Sequence, residues 1–143
     1  MANEVDLTVA QIGLVDPLKA RVKTYLAGEE ITKGELVAMN TTGVIHPASG
    51  AAADYKAQQI VGVSLNAGNT GAAIDVCEDG ELYGFTVSGL NCGALLYAHD
   101  TAGRISSAIG TVTAYVGRVT ALTDKGTTNV IRIQTIFSEA LVT

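Results

Sequence analysis

Residues 72–87, AAIDVCEDGELYGFTV, give the strongest indication of the fold. Apolar and polar side chains alternate through AAIDVCE (72–78) and again through ELYGFTV (81–87), with Asp79-Gly80 between the two runs. Such alternation is typical of a half-buried strand, and an Asp-Gly pair between two such runs is typical of a tight hairpin turn. The stretch therefore predicts two antiparallel strands that turn at Asp79-Gly80.

Similar short runs extend along the chain on both sides of this hairpin. Turn signals separate them at intervals of about 8–12 residues, a spacing typical of β-sandwiches and small barrels. The predicted strands cover residues 18–26, 35–40, 44–46, 60–66, 72–78, 81–87, 93–98, 112–122 and 129–137. We therefore expect an all-β domain, a compact β-sandwich or small β-barrel of about 8–10 short strands, with at most one short helix near residues 51–58.

No exact internal repeat is present in the sequence. IVGV (60–63) and YVGR (115–118) share an aliphatic-Gly pattern, but a pattern this short does not establish a duplication.

Length and composition limit the classes of function. The chain has 143 residues, 48% of them hydrophobic, and a formal net charge of −5. This size suits one domain, the apolar content excludes a disordered chain, and the acidic balance disfavours a nucleic-acid partner. Because no long apolar run or secretory signal is present, we expect no membrane partner. Cys77 and Cys92 do not form a metal-binding pair and are expected to be free thiols.

Residues 1–17 differ from the rest and are expected to form an extended N-terminal arm, leaving residues 18–143 as a single β domain. The arm has three acidic residues and no Lys or Arg. It also has more apolar residues than a solvated tail needs, including Val5, Leu7, Val9, Ile12 and Leu14. We expect the arm to clasp a neighbouring molecule. The alternative is that it folds back as an edge strand on its own sheet.

The segment LKARVKTYL (18–26) alternates cleanly and is predicted to be a half-buried strand. The row predicted to face the core consists of Leu18, Ala20, Val22, Thr24 and Leu26. The opposite row, predicted to form a basic outer face, consists of Lys19, Arg21, Lys23 and Tyr25.

Candidate catalytic residues are few. His46 and His99 are the two histidines, and each is predicted to lie in a surface turn without the partners of a metal site or catalytic triad. The carboxylate pairs Glu29-Glu30 and Glu78-Asp79 are adjacent in sequence, so each pair points to opposite faces of a strand and forms no acid–base dyad. We therefore expect no catalysis, no cofactor and no metal.

The order of the segments resembles the capsid decoration proteins of tailed bacteriophages, also called cement or head-stabilising proteins. The matching stretches are YLAGEEITKGELVAMNTTGVIHPA (25–48), QIVGVSLNAGNTGAAIDVCEDGELYG (59–84), GALLYA (93–98), AYVGRVTAL (114–122) and VIRIQ (130–134). The motif positions of that family fall on Gly28, Ile31, Gly34, Leu36, Val37, Ile60 to Ser64, Gly71, Val76, Gly80, Val116, Gly117 and Arg118. The resemblance covers roughly residues 20–135 and leaves out the arm.

The resemblance implies a structural virion protein and not an enzyme. Such a protein is made in the host cytoplasm, binds the outer capsid surface, and clamps adjacent subunits of the major capsid protein, its partner. It also implies contact with further copies of the chain, as a dimer or trimer. The residues proposed for these interfaces are Val5, Leu7, Val9, Ile12, Leu14, Lys19, Arg21 and Lys23.

Two other classes of function remain open at this stage. The stretch GEEITKGELV (28–37) also resembles strand–turn elements of sugar-acid or antifreeze-like binding modules, which makes a small ligand- or carbohydrate-binding β-domain the main alternative. A pocket of that kind normally uses aromatic residues, and this chain has five Tyr and two Phe with no cluster in sequence. A small hydrolase on a β-barrel is disfavoured by the scarcity of histidine and paired acids.

Overall fold

The computed structural model describes residues 12–52, 54–85, 87, 90–122 and 128–134. These residues confirm the all-β prediction, because they form one antiparallel sheet of ten strands that curls into a half-barrel. The strands are β1 (Gly13–Leu14), β2 (Arg21–Leu26), β3 (Leu36–Met39), β4 (Ile45–Pro47), β5 (Ile60–Ser64), β6 (Ala73–Tyr83), β7 (Leu95–Ala98), β8 (Ile105–Ser106), β9 (Tyr115–Leu122) and β10 (Thr128–Gln134). A 3₁₀ turn (Pro17–Lys19) precedes β2, and the short helix α1 (Tyr55–Gln58) lies within the predicted helical stretch.

The predicted turn at Asp79-Gly80 is wrong. β6 continues through both residues because each has a partner in the sheet: Asp79 pairs with Arg21 of β2, and Gly80 pairs with Ile133 of β10. The glycine allows close packing instead of a turn, since a Cβ at Gly80 would lie 2.9 Å from the Cβ of Ala20. An Asp-Gly pair favours a turn locally, but strands on both edges of β6 hold this pair extended.

The sheet contains the same arrangement of strands twice. Its strand order is β4-β3-β5-β6-β10-β9-β7-β8, which repeats one series from each end towards the middle. The pairings β3–β4, β3–β5 and β5–β6 correspond to β7–β8, β7–β9 and β9–β10. In addition, β2 pairs with the start of β6 as the end of β6 pairs with β10. We call residues 21–79 the first repeat and residues 80–134 the second repeat.

Glycines at matching turns support this duplication. Gly34 and Gly93, which precede β3 and β7, have φ angles of 86° and 89°. Gly43 and Gly103, which precede β4 and β8, have φ angles of 88° and 81°. Glycine is strongly favoured in this left-handed region of backbone conformation, so four separate positions share one requirement in pairs. The structure therefore establishes a duplication that the short IVGV and YVGR patterns do not.

The shared aliphatic-Gly pattern marks a β-bulge in each repeat. Val61 of β5 and Val116 of β9 are the extra residues where the pairing register shifts. The glycine that follows each of them lies against a backbone oxygen of the next strand. A Cβ at Gly62 would overlap the oxygen of Cys77, and a Cβ at Gly117 would overlap the oxygen of Arg132.

Two hydrophobic clusters fill the fold. The smaller cluster lies inside the first repeat and consists of Tyr25, Ala27, Ile31, Val37, Ile45, Ile74 and Val76. The larger cluster joins the repeats and includes Leu36, Ala38, Ile60, Val63 and Cys77 from the first and Leu96, Ile105, Val116, Ile131 and Ile133 from the second. The first repeat is thus covered on both faces. The outer face of the second repeat exposes Leu95, Arg118 and Arg132.

Candidate interaction surfaces

The described part of the predicted arm lies on the domain's own sheet. β1 pairs with the end of β6, with Gly13 opposite Tyr83 and Leu14 opposite Leu82. Ile12 is 3% exposed and belongs to the larger cluster, against which Leu14 packs. This corrects the expectation of a partner contact for Ile12, because its own domain buries that side chain. The other predicted arm contacts, Val5, Leu7 and Val9, lie outside the described residues.

The prediction for residues 18–26 is wrong about which row of side chains is buried. Tyr25, predicted to face outwards, is 9% exposed, whereas Leu18, Val22 and Leu26 are 96%, 42% and 53% exposed. Alternation groups the side chains of β2 correctly, but Tyr25 is the one that covers the smaller cluster. Lys23 shares the row of Tyr25 and stays exposed, with its Nζ 5.1 Å from the centre of the Tyr25 ring.

Glu78 joins β2 to β6 through a β-bulge. The register of β2 against β6 skips this residue, and its carboxylate turns towards β2. It accepts a hydrogen bond from the Tyr25 hydroxyl at 2.5 Å and another from Arg21 Nε at 3.2 Å. Desolvation, together with the nearby carboxylate, raises the pKa of Tyr25. Glu78, which the sequence places beside the predicted Asp79-Gly80 turn, is only 8% exposed.

The two histidines take part in local hydrogen bonds. Asn40 Nδ2 donates to His46 Nε2 at 3.1 Å, which leaves His46 Nδ1 to donate to Glu29 at 2.9 Å. His99, predicted at the surface, is 9% exposed and accepts a hydrogen bond from the Thr101 N–H at 2.9 Å. Within the part of the chain that the structure describes, no group of three or more His, Cys, Asp and Glu side chains is placed to hold a metal ion.

A shallow groove of about 270 Å³ lies on the outer face of the second repeat. Strands β7, β9 and β10 line it with Leu95, Tyr115, Gly117, Arg118, Arg132 and Gln134. Tyr115 also contacts Tyr97, with the two ring centres 4.9 Å apart. Arginine and tyrosine are both enriched in protein–protein contacts.

The groove is lined by two arginines, and the acids nearest to them lie on β6, where Glu81 is directly opposite Arg132. Arg118 and Arg132 are directly opposite each other on β9 and β10, an arrangement that like charges make unfavourable. Arg132 Nη2 forms an ion pair with Asp79 at 3.1 Å. Arg118 has no ion-pair partner among the residues described. Arg118 is therefore the position in the groove that is suited to a carboxylate of another molecule.

The duplication gives this groove a counterpart in the first repeat. The positions of Leu95, Arg118 and Arg132 correspond to Leu36, Val63 and Cys77, all of which are fully buried in the larger cluster. The first repeat therefore packs through the face that the second repeat leaves exposed. The exposed copy of that face has two arginines where the buried copy has Val63 and Cys77.

Sequence reasoning missed this groove because its residues come from three separate strands. In the sequence, Arg118 is a position of the family motif and Arg132 lies within the predicted strand 129–137. One signal was available: an arginine on each of two strands predicted to be neighbours in a hairpin. Using it required the register between β9 and β10, which alternation alone does not give.

The described helices are too short and polar to cross a membrane. Comparison with protein-family models and with curated proteins finds no match to this chain.

Proposed function

We propose that this chain is a structural virion protein that binds the outer surface of a bacteriophage capsid and clamps adjacent subunits of the major capsid protein. The order and spacing of its sequence segments support this proposal, together with the all-β fold. The observation that carries it is the arginine groove, an exposed copy of a face that is buried in the other repeat. Binding through such a surface relies on buried area and charge complementarity.

In this proposal the groove receives an acidic segment of the capsid surface. A carboxylate between Arg118 and Arg132 would relieve the repulsion between their side chains and form charge-assisted hydrogen bonds. Leu95 and Tyr115 beside them would be covered by an apolar residue of the same segment. An interface centred on aromatic and arginine side chains concentrates its binding energy in a few contacts.

The test is sedimentation of the chain with capsids of the virus that encodes it, prepared without the chain. Arg118→Glu is expected to weaken binding at least tenfold, a change of about 1.4 kcal/mol. The variant should fold, because a glutamate opposite Arg132 replaces repulsion with attraction. Lys56→Glu on α1 makes the same charge change away from the groove and should bind as the unmodified chain does. Binding by Arg118→Glu that equals binding by Lys56→Glu would contradict the proposal.

The N-terminal arm contributes a second, separable contact in this proposal. Residues 1–11 precede the buried Ile12, and extended they reach about 36 Å at about 3.3 Å per residue. Deletion of residues 2–11 is expected to leave a folded domain that binds capsids more weakly. Deletion of residues 2–16 also removes Ile12 and β1, so it should lower the thermal midpoint as well. A 2–11 deletion that binds as well as the intact chain refutes the arm contact.

The groove also favours the alternative function, a small ligand- or carbohydrate-binding domain. Its volume of about 270 Å³ is close to that of small ligand sites, and Tyr115 lines it together with the two arginines. A panel of acidic and neutral oligosaccharides, measured by calorimetry with Arg118→Glu as the control, tests this second candidate. Saturable binding that Arg118→Glu abolishes, with no sedimentation on capsids, would favour it over capsid binding.

A further inference from the structure

The turn between β3 and β4 and the turn between β7 and β8 are counterparts in the duplication. The Asn40 N–H donates to the Val44 C=O at 2.9 Å, and the His99 N–H donates to the Arg104 C=O at 3.0 Å. Each turn has a left-handed glycine just before its closing residue. The second turn is one residue longer, but the two turns begin and end with the same backbone contacts.

A side-chain acceptor at the first position caps each turn, but the two acceptors differ in chemistry. In the first repeat, Asn40 Oδ1 accepts a hydrogen bond from the Thr42 N–H at 3.0 Å, as asparagine often does in turns. In the second repeat, His99 Nδ1 accepts a hydrogen bond from the Thr101 N–H at 2.9 Å. An amide oxygen accepts at any ordinary pH, whereas an imidazole nitrogen accepts only while it carries no proton.

The contact with Thr101 fixes the protonation of the His99 ring. A backbone N–H can only donate, so Nδ1 is the unprotonated nitrogen and the ring proton lies on Nε2. Protonation of the ring turns Nδ1 into a donor, and two N–H groups then face each other. Because His99 is only 9% exposed, little water can reach the ring to replace the lost contact.

The turn that His99 caps also holds the two repeats together. The Gly50 N–H donates to the His99 C=O at 2.9 Å, and the Gly103 N–H donates to the Ala48 C=O at 2.7 Å. The Gly103 C=O accepts in turn from the Leu36 N–H at 3.0 Å. Three backbone hydrogen bonds between the repeats therefore depend on the conformation of this turn.

Charged side chains surround the turn, and Asp100 is the one that acts on the His99 ring electrostatically. Hydrogen bonds from the Thr111 hydroxyl at 2.6 Å and the Thr111 N–H at 2.9 Å lower the pKa of Asp100, so its carboxylate stays charged where a histidine titrates. Arg104 ends the turn, and Glu35 packs against it from the first repeat. Because Thr111 holds both oxygens of Asp100, this carboxylate attracts a proton to the ring without replacing the ring as the cap.

We propose that His99 is a pH-sensitive cap, and that protonation of its imidazole releases the turn and loosens the hydrogen bonds between the two repeats. The corresponding cap of the first repeat, Asn40, has no group that titrates. The proposal goes beyond the proposed function and is tested on the isolated chain, so its failure would leave capsid binding unaffected.

Amide hydrogen exchange, followed by NMR together with the titration of the His99 ring, tests the proposal. The range from about pH 7.5 to about pH 5.5 spans the titration of an ordinary histidine. Over this range, the protection factors of the Gly50 and Gly103 N–H groups should fall at least about fivefold in the unmodified chain. Protection factors are corrected for the intrinsic pH dependence of exchange, so the fall measures opening of the turn.

His99→Asn is the matched variant, because it gives the second turn the cap that Asn40 provides in the first. It should keep the protection factors of both N–H groups constant over the same pH range, whereas His99→Ala should lower them at every pH. His46 is present in all three proteins, so its own titration cancels in the comparison. A fall in His99→Asn equal to that in the unmodified chain would overturn the proposal. So would an unmodified chain whose His99 ring stays neutral, or whose protection factors stay constant while the ring titrates, and these two outcomes need no variant that folds.

Discussion

Strands β2 and β10 both pair with β6, and both alternate apolar and polar side chains. The isoleucines of β10 are buried, whereas Val22 and Leu26 of β2 are exposed. In β10, Ile131 and Ile133 are fully buried. In β2, Val22 and Leu26 are about half exposed, at 42% and 53%. β10 lies between β6 and β9 and packs on the larger cluster, whereas β2 pairs along its length with β6 alone and meets β4 only at its end, through Ala27 and Ile45. Alternation thus determines which side chains share a face, but the surrounding strands determine which face is covered.

The largest effect expected from this comparison is the loss of folding stability when a core side chain is truncated. Ile131→Ala should lower the free energy of unfolding by about 2–5 kcal/mol, because it removes a fully buried side chain and leaves a cavity. Leu26→Ala removes as many carbon atoms from the exposed row and should change it by less than about 0.5 kcal/mol. Urea denaturation at low protein concentration measures both. Equal losses would mean that β2 is covered within the monomer.

A smaller loss of stability is expected when the two acidic residues of β6 that form ion pairs with neighbouring strands, Glu78 and Asp79, are truncated. Glu78→Ala leaves the buried Tyr25 hydroxyl without its acceptor and should cost about 1–3 kcal/mol. Asp79→Ala breaks the pair with Arg132, whose side chains are 29% and 44% exposed, and should cost less than about 1 kcal/mol. Truncating adjacent residues keeps the comparison matched. A larger loss for Asp79→Ala would show that the bulge is not the stabilising contact between β2 and β6.

The sequence predicted the secondary-structure elements well, but it did not predict which strands and hydrophobic clusters each element contacts. The all-β class and a short helix within 51–58 follow from local propensity and turn spacing, and both are present. The turn at Asp79-Gly80 was wrong because strands on both edges of β6 override the local preference of the pair. The buried row of β2 was wrong because it depends on one side chain, Tyr25, meeting a cluster built from distant segments.

The duplication and the groove could not be predicted from the sequence, for a different reason. The repeats share their glycine turns and bulges but few side chains. The equivalence of the two repeats is therefore visible in backbone angles and strand pairing, and hardly at all in the amino-acid sequence. Arg118 and Arg132 become a site only through the register of β9 against β10. Both features are properties of pairing between strands, and a pattern along one strand carries little information about pairing.

The smallest effect expected is on the pH dependence of stability. It tests how deeply the Tyr25 side chain of β2 is buried. Burial and the hydrogen bond to Glu78 raise the pKa of Tyr25 in the folded chain above its value in the unfolded chain. The unfolded chain therefore loses this proton first, at about pH 10. Since the unfolded state then binds fewer protons, the free energy of unfolding falls as the pH rises above that point.

Tyr25→Phe isolates this contribution. Burial also raises the pKa of the Cys77 thiol to about 11, so Cys77 adds a loss of the same sign in both proteins and cancels in the comparison. Urea midpoints measured from pH 8 to pH 11 should run parallel for the two proteins up to about pH 10. Above it the unmodified chain should lose stability more steeply, by at most about 1.4 kcal/mol per pH unit for one proton. Curves that stay parallel throughout would show that Tyr25 ionises equally in both states, and that its side chain is as open to water as Val22 and Leu26.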